Sequence, residues 1–398
     1  MELSYRLKFI KPSPTLTLSQ KADELKQSGI DIINLTTGEP DFSTPLWICE
    51  AADRAMKNKQ NKYTAVAGTV DLRRAIQSKF KNQNNLNYEL DQIIVSTGGK
   101  QVLFNALMAS LNPGDEVIIP APYWVSYVDM VNLFEAKPVI IECRKDQHFK
   151  MTPKQLEDAI TPKTKWLVFN SPSNPTGAVY SKQELKSIAD ILVKHPHVHI
   201  LSDDIYEHLI YGEAFFNLPM VENSLFERTL TVNGVSKTYA MTGWRIGFAG
   251  GPRSLIKAMC TLQSQSTTNA CSIAQAAAVE ALNGPQEFLE DWRTAYKKRR
   301  DLMVNGLNAI PGISCLTPAG AFYVYPDCKE LIGKKTPEGR ALEDDSAIAD
   351  YFLQNARVAV VPGVAFGLSP HVRLSYAADE SLLQEACQRI EASVKKLR

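Results

Sequence analysis

The sequence predicts an α/β fold, a mainly parallel central sheet covered by helices, with a smaller α+β domain. Three observations carry this. From about residue 90, short β-branched runs alternate with longer helical stretches, the pattern of βαβ units whose strands are buried on both faces. After about residue 286 the alternation gives way to one long charged helical stretch and scattered short strands. Before residue 46 the chain is Pro-rich and reads as extended. The chain is therefore expected to divide into a segment 1–45 that packs with the small domain, a large domain 46–285 and a small domain 286–398.

In the large domain, Ile93-Ile94-Val95-Ser96-Thr97 reads as a strand, broken by Gly98-Gly99 and followed by an amphipathic run from Gln101 to Leu111. Asn112-Pro113-Gly114-Asp115 is a turn by composition and leads into Val117–Pro120. Val139–Ile141, Trp166–Phe169, His199–Leu201 and Leu230–Val232 follow as strands, most with helical stretches between. Ligands of such sheets bind beyond the carboxyl ends of the strands, where the loops converge. In the small domain a helix is expected from Gln286 to Leu307, carrying Lys297-Lys298-Arg299-Arg300. Strands near Ala321–Tyr325, Val358–Val361 and Val372–Ser375 come next, and a helix from about Glu380 closes the chain.

Composition narrows the function. Among 398 residues, 44% are hydrophobic and 22% charged, as in ordinary globular proteins. A formal net charge of +1 gives no electrostatic reason to expect nucleic acid or an anionic membrane as partner. Any anion must be held by a local site. The seven cysteines are dispersed, with no CxxC spacing, which reads as reduced thiols. The first residues lack the continuous apolar stretch of a signal peptide, and no apolar run reaches the ~18 residues of a membrane helix. The expected address is the cytoplasm.

Several residues at the predicted strand ends carry chemistry. Val235-Ser236-Lys237-Thr238 follows a strand, is nearly free of other charge and is rich in small residues. An amine in such a setting loses solvation, its pKa falls, and it becomes a nucleophile toward a carbonyl. A surface lysine in a loop is the rival, and only the neighbouring sites argue against it. Ser202-Asp203-Asp204-Ile205-Tyr206 stands at the carboxyl end of a buried strand. Asp203 can keep a pyridine nitrogen protonated, which makes the ring an electron sink, and Tyr206 can donate to a ring oxygen. Metal binding by the Asp pair is the alternative, but no His or Glu at suitable spacing completes it.

Asn170-Ser171-Pro172-Ser173-Asn174-Pro175-Thr176-Gly177 freezes a turn and presents the Asn174 amide in one orientation. A rigid connector would look the same. Thr97-Gly98-Gly99-Lys100 sets glycines between a strand and a helix start, where backbone N–H groups meet a phosphate at the positive end of the helix dipole. Glycines cap many loops, and the GxGxxG of a dinucleotide fold is absent. Trp124 can stack on a flat ring or belong to the core. Arg373, alone in the strand pattern His371–Ser375, calls for a bidentate carboxylate partner, and a substrate α-carboxylate would serve. His195, His197 and His199 surround Pro196 and read as a loop entering a strand, not as a metal box.

Together these residues resemble the class I, fold type I pyridoxal-phosphate aminotransferases, and within them the bacterial aspartate (aspartate/prephenate) branch. The resemblance runs from about Lys11 to the C-terminus. It rests on Ser-Asn-Pro-Thr-Gly at 173–177, Asp-x-x-Tyr at 203–206 and Ser-Lys-x-x-x-Met-x-Gly-x-Arg from 236 to 245. It implies pyridoxal 5'-phosphate joined covalently to Lys237, which also shuttles the proton at Cα. It implies Asp203 against the pyridine nitrogen, Asn174 and Tyr206 on the ring oxygen, and Trp124 on the ring face. Gly98, Gly99, Lys100, Ser236 and Arg245 would surround the phosphate. Tyr63 would reach the phosphate of a neighbouring subunit, which implies a homodimer with shared active sites. Gly38 and Arg373 match the α-carboxylate site, with Trp124 and Asn174 also facing the substrate, while Lys100 and Thr15 match the distal carboxylate site.

The implied reaction is ping-pong transamination between aspartate or glutamate and a 2-oxo acid such as 2-oxoglutarate or oxaloacetate. Prephenate or a broader substrate range is the alternative. A β-lyase of the same fold and a non-catalytic regulator are further rivals. Asp204 stands where glutamate is commoner in this branch, and Ser236 where alanine is.

Overall fold

The computed structural model describes residues 1–212 and 214–398. Its strands are β1 (Ile33–Asn34), β2 (Ile93–Ser96), β3 (Glu116–Ala121), β4 (Lys137–Glu142), β5 (Thr164–Asn170), β6 (His199–Asp203), β7 (Thr229–Gly234), β8 (Gly247–Gly250), β9 (Tyr323–Val324), β10 (Val358–Ala359), β11 (Val361–Pro362) and β12 (Val372–Ser375). Seven of them form one sheet in the order β2-β8-β7-β6-β5-β3-β4. The run from β7 to β4 is parallel, and β8 lies antiparallel between β2 and β7.

The continuous apolar runs follow from burial on both faces. Val117, Ile119, Val168 and Leu201 face Val102, Leu103 and Leu107 of the helix Gly99–Ser110. Their neighbours Ile118, Leu167, Phe169 and Ile200 face Leu185, Ile188 and Leu192 of the helix Lys182–Lys194. With both sides covered, the carboxyl ends of the parallel strands and their loops are left to hold a ligand.

Strand β8 is absent from the sequence-based expectation, because Gly-Phe-Ala-Gly has no β-branched run. Its small residues have a structural purpose. A Cβ on Gly247 would lie 2.1 Å from the Gly99 nitrogen, so only glycine lets the strand slide beneath the Gly98–Gly99 turn.

Beyond residue 286, the helices Phe288–Asn308 and Glu380–Val394 pack through Met303, Leu307, Leu383 and Ile390. They cover the antiparallel sheet β11-β12-β9. The N-terminal segment is not extended throughout: Pro14–Gln27 is a helix with proline at its first turn, where a missing N–H costs nothing. Parallel pairing of β1 with β10 joins the segment to the C-terminal part. Its first residues go elsewhere, since the short turn Tyr5–Phe9 lies against the helix Ser126–Leu133 and Arg6 pairs with Glu135 at 3.2 Å.

A buried ionic cluster braces the sheet behind β6. Lys79, on the helix Val70–Asn84, pairs with Glu207, and both side chains are almost without solvent. Asn84 and Asn233 donate to the same carboxylate at 2.8 and 2.9 Å. Removing the cation leaves a buried charge uncompensated. Lys79→Met is therefore expected to destabilise the protein by about 3–5 kcal/mol, visible as a lowered urea midpoint relative to the unaltered chain.

Candidate active site

The loops beyond β2, β3, β5, β6 and β7 enclose a crevice of about 250 Å³. Asp203, the last residue of β6, forms one wall. The residue is 7% exposed, and its carboxylate accepts from the Tyr127 hydroxyl at 2.6 Å and, weakly, from the Ile205 amide at 3.4 Å. Among the described residues no cation pairs with it, and burial pushes its pKa up. Asp204 is turned away from the crevice. Ser202 and Asn217 each donate to it at 2.7 Å, and burial raises it to about 7. The adjacent carboxylates thus have separate partners and do not form one ligand set.

Lys237 enters from the loop after β7. Its Nζ donates to the Gly38 carbonyl. Burial, opposed by Glu39 and reinforced by Arg373 and Arg245, lowers its pKa to about 8. Gly98 has a positive φ of +85°, which calls for glycine, and the Arg245 guanidinium lies in the space that a Cβ there would enter. The helix Gly99–Ser110 starts at this turn, and its first N–H groups have no intrahelical partner. Arg245, Lys100 and Ser236 line the crevice with them. The Lys100 Nζ lies 4.9 Å from the Trp124 ring centre, a cation–π contact that aims the side chain.

Arg373, in β12, is 2% exposed. It donates to Asn174 Oδ1 at 2.9 Å and to the Thr36 carbonyl, while Nε has no partner. Tyr323 and Phe366 rings lie 4.6 and 4.9 Å from the guanidinium carbon. Among the described residues no carboxylate neutralises it. A buried cation in that state is costly, and an anionic ligand would relieve it.

The structure gathers Thr15, Gly38, Gly99, Lys100, Trp124, Asn174, Asp203, Tyr206, Ser236, Lys237, Arg245 and Arg373 around this one crevice. Gly98 shapes it through Arg245. Tyr63 is not brought in: it is 90% exposed, on a loop that Gln275 fixes by bonds to Thr64 and Thr69. Tyr127, Asn170 and Tyr323 also line the crevice and escaped the sequence reading. Tyr127 had a signal, three residues after Trp124 in an aromatic stretch. Asn170 opens the Ser-Asn-Pro turn, where its side chain bonds the Asn174 amide and the Asp203 carbonyl at 2.9 and 2.8 Å. Nothing local marks Tyr323.

A demand for three chemical features emerges: an anion at the helix start, a cation or proton opposite Asp203, and a carbonyl carbon near Lys237. Comparison with known proteins is consistent with that demand. The family model for aminotransferase class I and II matches residues 30–390. The aspartate/prephenate aminotransferase of Cereibacter sphaeroides is 56% identical, over 98% of each chain. The aspartate aminotransferase of Rhizobium meliloti is 52% identical, over 98% of this chain and 96% of that one. A crystal structure of the R. meliloti enzyme covers 100% of both chains with a TM-score of 0.97. The Thermus thermophilus aspartate aminotransferase with maleate is 45% identical, with a TM-score of 0.92 over 99% of this chain and 100% of that one.

The lowered Lys237 pKa is open to test on cofactor-free protein. An amine-acylating reagent should modify this residue half-maximally near pH 8, against about 10.4 for an exposed lysine. Peptide mapping across a pH series measures it. A midpoint at the ordinary lysine value would show that the crevice does not desolvate the amine.

Proposed function

This chain belongs to the class I and II aminotransferases, a pyridoxal-phosphate-dependent family, and on that premise we propose that it moves an amino group between aspartate or glutamate and a 2-oxo acid. One observation carries the reading: Asp203, a buried carboxylate, shares its crevice with a desolvated amine, Lys237, and a buried guanidinium, Arg373, and among the described residues neither charge has a counter-ion. These are the complements of a pyridine nitrogen, an aldehyde and an α-carboxylate. When bound, pyridoxal 5'-phosphate supplies the aldehyde and a ring that accepts the electron pair left as Cα loses its proton.

The chain's own groups do the rest. Gly98, Gly99, Lys100, Ser236 and Arg245 hold the phosphate through backbone amides and positive charge. Asp203 keeps the ring nitrogen protonated, and Tyr127 holds that carboxylate in place. Asn174 and Tyr206 offer donors to the ring oxygen, and Trp124 covers the ring. Lys237, neutral in a good fraction of molecules near pH 8, would take the proton from Cα and deliver it across the substrate nitrogen to the former aldehyde carbon of the cofactor. Arg373, with Gly38, orients the substrate through its α-carboxylate. Lys100 and Thr15 hold the distal carboxylate, and a lysine there discriminates less rigidly than an arginine fork. In the division 1–45, 46–285 and 286–398 the crevice draws on all three parts, through Thr15, Lys237 and Arg373 respectively.

The exposure of Tyr63 supports a homodimer in which this residue completes the partner's phosphate site. Prephenate as a further acceptor is favoured by the name of the C. sphaeroides relative. Among the described residues no helix is long and apolar enough to cross a membrane. Free cysteines throughout support a cytoplasmic address.

The test mixes cofactor-loaded protein with single amino acids and follows the visible absorbance. Aspartate and glutamate should convert it rapidly, with a 2-oxo acid as product. Conversion by valine or lysine and none by the dicarboxylates would overturn the substrate assignment. Borohydride reduction before peptide mapping should leave a pyridoxyl label on Lys237. Arg373→Leu is expected to lower kcat/KM for aspartate roughly a hundredfold or more, the usual effect of truncating a buried charge partner.

A further inference from the structure

Tyr206 and Tyr323 meet hydroxyl to hydroxyl at 2.8 Å on the crevice wall. Tyr206 follows β6, at the ligand edge of the large sheet. Tyr323 begins β9, where it pairs with Ser375, two residues beyond Arg373. Both are buried, and among the described residues neither oxygen makes a second hydrogen bond. The pair therefore has two protons and one bond between them. One proton joins the oxygens; the other has no acceptor among the described residues and is left for a ligand.

The surroundings decide which hydroxyl holds the spare proton. Gly38 leaves room for Tyr323, since a Cβ there would lie 2.7 Å from its oxygen. The Arg373 guanidinium carbon sits 4.6 Å from the Tyr323 ring centre, and a cation over the ring favours release of the phenolic proton. Burial raises both hydroxyls, Tyr206 well above its ordinary value, and Arg373 opposes that rise at both while lying directly over the Tyr323 ring. Tyr323 is thus the better donor and Tyr206 the better acceptor.

We propose that Tyr323 is a positioning residue for the reaction: its hydroxyl donates to the Tyr206 oxygen and so turns the Tyr206 proton toward the 3'-oxygen of the cofactor. The inference rests on the cofactor placement proposed above. Accepting one hydrogen bond polarises a hydroxyl and strengthens the bond it gives, by roughly 10–30%. A donor to the 3'-oxygen favours the anionic form of that oxygen. The Tyr323 ring has a separate task, as the surface on which Arg373 rests, so one side chain joins the ring-oxygen site to the carboxylate site.

The readout is the pH midpoint of the visible absorbance of the cofactor-loaded enzyme, which a merely structural role would leave in place. Tyr206→Phe should raise the midpoint by about one to two units, the worth of a hydrogen bond to a charged acceptor. Tyr323→Phe, which keeps the ring, should raise it by ~0.3 unit and leave the dissociation constant of maleate unchanged. Tyr323→Leu should raise the midpoint similarly and weaken maleate severalfold. In the Tyr206→Phe background, Tyr323→Phe should add nothing. If Tyr206→Phe moves the midpoint and Tyr323→Phe does not, the proposal is overturned and the cofactor placement stands. A Tyr323→Phe shift that persists without the Tyr206 hydroxyl overturns it too, since the two would then act independently. If neither variant moves the midpoint, the cofactor placement fails and this inference fails with it.

Discussion

The site depends on keeping opposite charges buried and apart in one crevice. Asp203 and Arg373 are both almost without solvent, yet neither is neutralised by a counter-ion among the described residues. Burying such groups unpaired is expensive. The protein meets that cost with oriented neutral donors and acceptors: Tyr127 and the Ile205 amide on Asp203, Asn174 and the Thr36 carbonyl on Arg373. These partners hold each charge in place without cancelling it. A neutral substitute at either position would be easier to fold and useless for ligand recognition. Preorganised charge of this kind costs no reorganisation when a ligand arrives.

The sheet makes the arrangement rigid. Asp203 belongs to a strand hydrogen-bonded on both sides, paired with Asn170 of β5 and Val232 of β7. Asn170 uses its side chain to join the Asp203 carbonyl to the Asn174 amide, so the turn that orients Arg373 is fixed to the strand that presents Asp203. Behind them, Glu207 is gripped by Lys79, Asn84 and Asn233. Asn233 also donates to the Asp204 carbonyl at 3.2 Å, which ties the Asp203–Tyr206 turn to the strand leading into Lys237. Asp203 and Lys237 therefore cannot move independently.

How far this was legible in the sequence depends on whether a residue's role is local. Lys237, Asp203 and the Gly98–Gly99 turn announce themselves because a strand end, a small-residue neighbourhood and a helix start are properties of short segments. Arg373 was legible as an anomaly, a charge inside a strand. Tyr323 and strand β8 were not. Tyr323 acquires meaning only when β9 brings it against Tyr206, more than a hundred residues earlier. Gly247 looks like loop material because its small size answers to the Gly99 backbone, not to its own neighbours. The N-terminal helix was missed for a similar reason: two prolines near residue 13 read as extended chain, while the one at its first turn starts the helix.

The neighbouring carboxylates show why sequence motif and chemistry must be argued separately. Asp203 and Asp204 are adjacent, both buried, and identical in covalent structure, yet strand alternation sends them to opposite sides. On one side a single hydroxyl and an amide leave Asp203 able to take a proton-bearing ligand nitrogen. On the other, Ser202 and Asn217 satisfy Asp204 within the protein, and burial beside Glu207 brings it to about 7. A one-residue slip in β6 would exchange the two environments without changing the motif. The pairing of Asp203 with Val232 and Asn170 fixes the register, and with it which of two identical side chains faces the crevice.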